Sequence, residues 1–284
     1  MPVRKLESTD AFVVTDLDDP PIAVGIVRAA PKVLVDGAEL LARAATYAFA
    51  TFGVQASGAS AGVNTTPDGK AQALAAFVAE LAPLVADGKL HLSAGTGLDA
   101  ADVDPAGIHI QDGSLAARGA AAAAMAFLGG DAGERGAAVH GPEAWLERIA
   151  PVWAEMSGAA ATGGGIDAAV DVLFVAGKAG LVDHEAAGSV QAKLVVPLTP
   201  VPVTAKAFAV LSRAGTVLVP DAVSCATPLL AVADPEGGDP VERVAAVAAE
   251  LAGAGVDAWR HMVERAETFL ATWQETLPFG RPLA

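Results

Sequence analysis

Cysteine is nearly absent from this chain: Cys225 is the single one in 284 residues. One thiol cannot close an intrachain disulfide, and it is too few for a cysteine-based zinc site. Aromatic side chains make up only 5% of a chain that is 53% hydrophobic, so much of the apolar content is alanine. That balance favours closely packed helices over large aromatic ligand pockets. Basic residues are also scarce, 18 against 33 acidic ones for a formal charge of −15, and they are scattered. Nucleic-acid binding draws on counterion release by clustered Lys and Arg, so no nucleic-acid partner is expected, and the acidity serves solubility. Long hydrophobic runs are missing too. The most apolar helical stretch, Gly119–Leu128, is preceded by Arg118, ends at Gly129-Gly130 and is too short to span a bilayer. The opening residues Met1–Ser8 contain no apolar signal core. The expectation is a soluble, cytoplasmic protein with no membrane partner.

What is present is an alternation of strand-like and helix-like patterns. Ala11–Val14 and Ile22–Val27 read as short strands, Asp36–Phe52 as a helix that its aspartate can cap, and Thr66-Pro67-Asp68 as the start of a helix to about Leu84. Leu90–Leu92 and Ile108–Ile110 are further strand candidates, and an alanine-rich helix over about Ser114–Phe127 leads to a break at Gly129-Gly130-Asp131. That break divides a first domain, 1–130, from a second, 131–236, with a helical segment at 237–284. In the second domain Gly136–His140, Asp171–Ala176, Ala192–Val196 and Thr216–Val219 are short apolar runs of the kind buried in parallel sheets. Helices are predicted from Gly141-Pro142-Glu143 to about Met156 and over Thr204–Arg213. The fold class is therefore α/β with an open parallel sheet.

Two stretches carry a resemblance. The first runs from Gly25-Ile26-Val27-Arg28, with Pro31, to Gly58-Ala59-Ser60-Ala61-Gly62-Val63-Asn64. The second runs from Asp171-Val172-Leu173 through Ala192-Lys193-Leu194-Val195-Val196 to Val219-Pro220-Asp221. In order and spacing they resemble motifs of the glutamate/leucine/phenylalanine/valine dehydrogenases. That resemblance implies a mixed-sheet, oligomerisation-type N-terminal domain, a shortened Rossmann-like parallel-sheet domain and a C-terminal helix packing back on the first. It implies a homodimer or higher homo-oligomer assembled through the first domain, and a cleft between domains that takes a small molecule.

The chemistry of that family does not carry over. The positions that the resemblance matches to the family's lysines hold Val24, Ala48 and Ser60, none of which can hold a carboxylate or relay a proton as lysine does. The catalytic aspartate falls on Gly95, and Ser93–Leu98 contains no carboxylate. A dinucleotide site needs a glycine-rich turn at a helix N-terminus. Here that turn reads Gly141-Pro142-Glu143-Ala144-Trp145-Leu146, with one glycine and an acidic residue where a phosphate would lie. The family's two asparagines fall on Pro200 and Cys225. No cofactor and no metal is expected.

Candidates for other chemistry remain. His140, at the end of a predicted strand where open parallel sheets bind ligands, reads either as an acid–base or as a hydrogen-bonded wall residue. Cys225 reads as a nucleophile or as a buried hydrophobe. Ser60 and Asp99 complete the catalytic candidates. Ser57, Asn64 and Thr96 either hydrogen-bond a ligand or cap turns. Arg28 and Arg118 match arginines of the family patterns and either meet an anion or form structural ion pairs. His91 and His109 lack metal-ligand spacing, and core or surface roles are expected of them. The functional expectation is a homologue without oxidative deamination, either a non-redox enzyme of a small-molecule biosynthetic pathway using the cleft, or a non-catalytic binding or scaffold protein. A dehydrogenase with a rewired site is a third reading.

Overall fold

The computed structural model describes residues 1–99, 102, 113–129 and 135–277; the strand expected at Ile108–Ile110, and His109 with it, lies outside the described residues. Five strands, β1 (Val3–Lys5), β2 (Ala11–Thr15), β3 (Ala23–Ala30), β4 (Ser57–Asn64) and β5 (Leu90–Ala94), form a sheet in the order β1-β2-β4-β3-β5. The β1–β2 and β2–β4 pairs are antiparallel, whereas β4, β3 and β5 run parallel. This is the mixed sheet that the resemblance implied.

Each face of this sheet has its own cover. Leu74, Phe77 and Leu81 of α2 (Lys70–Ala86) pack on Val13, Val27, Ala59, Ala61, Val63 and Leu92. Alternation along a strand sends the remaining side chains to the opposite face, where Phe12 and Val14 meet Ala38 and Ala42 of α1 (Val35–Thr51). Helix and sheet lie close there because β4 is built of small residues. A methyl on Gly58 would stand 1.8 Å from the Ala42 carbonyl oxygen, and one on Gly62 would meet the Phe12 ring at 2.7 Å. The cap expected from Asp36 is not made: α1 is entered through Leu34, and Asp36 lies in the first turn, where a carboxylate still favours the helix dipole. Pro67–Ala86 is long and apolar enough to cross a membrane, but it lies along this sheet with its largest apolar side chains turned inward.

The second sheet is wholly parallel. Strands β6 (Ala137–His140), β7 (Ala161–Gly163), β8 (Val172–Val175), β9 (Leu194–Pro197) and β10 (Val217–Leu218) are ordered β10-β9-β8-β6-β7. The strand order reverses between β6 and β8, which is where ligands of open α/β sheets settle. Among the helices are α3 (Gly113–Phe127), α4 (Glu143–Ser157), α5 (His184–Ser189) and α6 (Ala205–Ala214). Asp183 and Thr204 cap the last two through their side-chain oxygens. Then follow α7 (Asp221–Ser224), α8 (Thr227–Ala233), α9 (Pro240–Ala252) and α10 (Ala258–Leu270).

The joint between the sheets is apolar and continuous. The buried alanines 117, 120, 121, 123 and 124 of α3 belong to one cluster with Val24, Ala45 and Ala48 of the first sheet and helix, Ala222, Val223 and Leu230 of α7 and α8, and Val139, Phe174 and Val196 of the second sheet. Gly119 of α3 faces Thr227 so closely that a methyl there would lie 2.3 Å from its Cγ2, and the Thr227 hydroxyl donates to the Leu115 carbonyl at 3.1 Å. The C-terminal helix α10 packs back on the first domain as expected. Tyr47 donates to Glu267 at 2.9 Å and Arg265 Nε to the Thr51 carbonyl at 2.7 Å. The same helix reaches the second domain, where Trp259 lies against Phe208 with ring centroids 5.5 Å apart.

Candidate functional site

The parallel strands of the first sheet end together at Ala30, Asn64 and Ala94, and the sequence-derived candidates divide around that edge. Arg28, Asn64, Thr96 and Asp99 lie at it. Ser57 begins β4 and lies at the other end of the strand, about 23 Å away at strand rise. Its hydroxyl is consumed structurally, accepting from Leu17 N–H and donating to the Gly58 carbonyl, each at 3.0 Å. Asn64 is likewise engaged: Oδ1 accepts Val33 N–H at 2.7 Å and Nδ2 donates to Asp10 at 3.0 Å. Asp99 is exposed and its carboxylate accepts the Asp102 N–H at 3.2 Å, while Asp102 pairs with Lys70 at 2.6 Å. Thr96 is exposed, and its carbonyl accepts Ala29 N–H at 3.0 Å. Arg118 is exposed on α3, between buried Ala117 and Gly119.

Ser60 and Arg28 are different. Ser60 is fully buried in the middle of β4, in register with Ile26 and Val14, and its Oγ has no hydrogen-bond partner. Arg28 is half-buried on the same sheet face. Its Nε and Nη2 are covered and unpartnered, and burial holds its pKa below the ordinary guanidinium value. The strand period also brings His91 and Ser93 of β5 to this face, level with Val24 and Ile26. Sequence reasoning set His91 aside, and the two-residue alternation of Leu90–Ala94 is the signal that groups it with Arg28.

At the second sheet His140 ends β6, half-buried, with its carbonyl accepting Ala176 N–H at 2.9 Å. The turn after it has φ of +152° at Gly141, and a methyl there would lie 2.5 Å from the Ala176 carbonyl oxygen. The one glycine of this turn therefore serves the close approach of two strand ends, β6 and β8. Cys225 is half-buried at the C-terminal cap of α7. Burial, with Asp221 beside it, pushes its thiol well above the usual range, and a thiol that does not ionise is a poor nucleophile. Asp221 escaped notice as a working residue. Its buried carboxylate accepts Val201 N–H at 2.7 Å, and Val201 is a β-branched residue at φ +55°. Burial raises the Asp221 pKa against the opposing pull of backbone N–H groups.

Two concavities lie away from all of these residues. One of about 610 Å³ is bounded by Arg4, Lys5, Glu7, Ser8 and Glu80, and one of about 200 Å³ opens below Ala23 and Leu90. No group of three or more His, Cys, Asp or Glu able to hold a metal ion occurs among the described residues.

No family model matches the sequence, and no curated protein matches it. Solved structures do. L-tryptophan dehydrogenase from Nostoc punctiforme superposes with a TM-score of 0.70 at 16% identity, over 95% of this chain and 96% of that one. A hetero-hexameric glutamate dehydrogenase from Thermus thermophilus, in a leucine-bound form, gives 0.72 at 17%, over 94% and 86%. A further glutamate dehydrogenase gives 0.75 at 14%, over 94% and 82%. The chain has the two-domain fold of the amino-acid dehydrogenases along nearly its whole length.

Proposed function

We propose that this chain is a non-catalytic member of the amino-acid dehydrogenase fold that acts by binding, with its two domains held as one body. The observation that carries this reading is the placement of Val24 and Ala48. By the sequence resemblance these are positions where the dehydrogenases carry lysine, and here both belong to the apolar cluster shared with α7 and α8. Apolar side chains in continuous contact at these two positions offer no cation to the carboxylate of an amino acid, and the α10 contacts oppose the opening of the domains. The turn at Gly141 supports the loss of dinucleotide binding, because it lies against Ala176 and carries Glu143 in the first turn of α4. Electrostatically, an acidic residue at that helix start repels a pyrophosphate. Among the comparison proteins one glutamate dehydrogenase is described as a hetero-hexamer, and assembly of this chain through its first domain, whose edge strand β1 is exposed, belongs to the same proposal.

Calorimetry with NADH and NADPH, together with an assay of amino-acid oxidation, tests it. The expected result is neither saturable heat nor turnover; saturable binding of either cofactor overturns the reading.

A further inference from the structure

The first sheet ends at β1, whose outer side pairs with no strand among the described residues. Antiparallel strands turn the main-chain groups of alternate residues to opposite edges. Thr15 N–H donates to the Pro2 carbonyl and Leu6 N–H to that of Ala11, so Pro2, Arg4 and Leu6 turn theirs inward to β2. The N–H and C=O groups of Val3 and Lys5 therefore point away from the sheet. All three residues of β1 are exposed. An edge of this kind is a template for a further strand.

The edge is held in shape without a partner. Beyond Lys5 the chain turns onto α2, where Glu7 N–H and Ser8 N–H donate to the Glu80 carboxylate at 3.1 and 3.0 Å and the Ser8 hydroxyl at 2.6 Å. Both concavities border this strand. Arg4 and Lys5 line the larger, and Pro2 and Arg4 line the smaller with the apolar side chains of Val13, Ala23, Leu84 and Leu90. Strand addition draws affinity from main-chain hydrogen bonds and selectivity from recesses that take alternate side chains, and β1 offers both.

Charge decides which strand fits. Two of the three residues of β1 are cations, in a chain of formal charge −15, and Lys89 joins Arg4 at the smaller recess. Of the carboxylates at these recesses Glu80 is engaged by Ser8, while Glu7 and Asp19 belong to the bends beside the strand. A second copy laid on β1 in full antiparallel overlap sets Arg4 opposite Arg4, and like charges directly opposite are destabilising. Copies of this chain then meet through other surfaces of the first domain.

We propose that β1 is the docking edge for an acidic extended segment of a partner protein. The segment adds as an antiparallel strand, with carboxylates opposite Arg4 and Lys5 and an apolar residue opposite Val3. The inference goes beyond the binding reading above, because it names a partner class and a surface away from the joint.

The test uses the full-length, ¹⁵N-labelled protein and a blocked peptide, acetyl-Thr-Glu-Glu-Val-Val-Thr-amide. Its glutamates fall opposite Lys5 and Arg4, and its first valine opposite Val3. Saturable shifts of the Val3 and Lys5 amide signals are expected, with hydrogen exchange at both slowed at least about tenfold at saturation. N-methylation of the first valine, whose N–H faces the Val3 carbonyl, should abolish binding. N-methylation of the second glutamate, whose N–H faces away, should be tolerated. A peptide with lysines in place of the glutamates should bind at least about tenfold more weakly, and the double variant Arg4→Glu with Lys5→Glu should reverse that preference. The absence of a saturable shift, equal binding of the lysine peptide, or indifference to the place of methylation overturns the proposal. So does protection of Val3 and Lys5 that grows with the concentration of the protein alone, which assigns the edge to a second copy. Should the double variant fail to fold, the wild-type titrations with the peptide series decide alone. The outcomes separate from those of the cofactor test. Strand addition together with NADH binding would sink the non-catalytic reading and leave this one standing; the absence of both would do the reverse.

Discussion

Replacing Asp221 tests the physics of the second domain at its most constrained point. Its carboxylate is buried, and Oδ2 accepts the N–H of Val201 at 2.7 Å. Val201 itself sits at φ +55°, a conformation that costs a non-glycine residue about 1–3 kcal/mol and persists where its surroundings impose it. Asp221→Asn keeps an oxygen in place for that N–H, whereas Asp221→Ala leaves a buried donor bare. A buried donor left without its acceptor costs about 1–3 kcal/mol, so the alanine variant should fall below the asparagine variant by about that amount. That corresponds to roughly 2–12 °C in Tm. The pH dependence gives an independent check. Burial raises the folded-state pKa of Asp221 above its ordinary value, so the folded protein holds this proton more tightly than the unfolded chain. Its contribution to stability is full below the unfolded pKa and is lost as pH rises through the folded one. The stability difference between wild type and Asp221→Asn should therefore move in favour of wild type as pH falls from 7 towards 4. Asp102, Asp183 and Glu80, whose pKa values are lowered by hydrogen bonds, lose stability over the same descent, but they are common to both proteins and cancel. Urea unfolding of the three proteins across that pH range is the assay. Equal loss in Asn and Ala, or a wild-type-minus-Asn difference flat with pH, would refute the reasoning.

Two further outcomes follow from the joint. Val24→Lys places an ammonium in the shared apolar cluster and should cost about 3–5 kcal/mol in denaturant unfolding, as an unpaired buried charge does; a variant of native stability would show that this position opens to water. Cys225 in the native protein should react with a thiol reagent at least about a hundredfold more slowly than in the urea-unfolded chain, because reactivity follows the thiolate fraction. Comparable rates would return Cys225 to the list of nucleophiles.

Strands were legible in both sheets. Ala11–Val14, Ile22–Val27 and Leu90–Leu92 fall on β2, β3 and β5, and in the second sheet Asp171–Ala176 encloses β8 and Ala192–Val196 overlaps β9. Strands buried on both faces are short unbroken apolar runs, whereas β7 carries no such run. Strand β4 was legible only through the resemblance. Ser57–Asn64 is made of residues that disfavour strands, and it forms one because its glycines let α1 approach. Site residues were harder still. Ser57 and Asn64 share a motif and a strand yet lie at opposite ends of it, and a hydroxyl or amide absorbed by the backbone looks the same in sequence as one offered to a ligand. Arg28 was marked by its place in a motif. That its Nε and Nη2 are unpartnered depends on where Asp99 and Asp102 point, which no local pattern records.

The alanine content, read at first as a poverty of aromatic pocket walls, has a more specific consequence. Small side chains on α3 and α1 let helices and strands from both domains meet at short range, as Gly119 does against Thr227. Dispersion contacts of this density act only when nothing intervenes. A joint packed in this way resists the opening that a cleft enzyme needs for substrate entry. Val24 and Ala48, at positions that the sequence resemblance matches to lysine, are of the kind such packing accommodates. In the proposed function, loss of the family's chemistry and closure of the joint are one physical change, and Val24→Lys tests both at once.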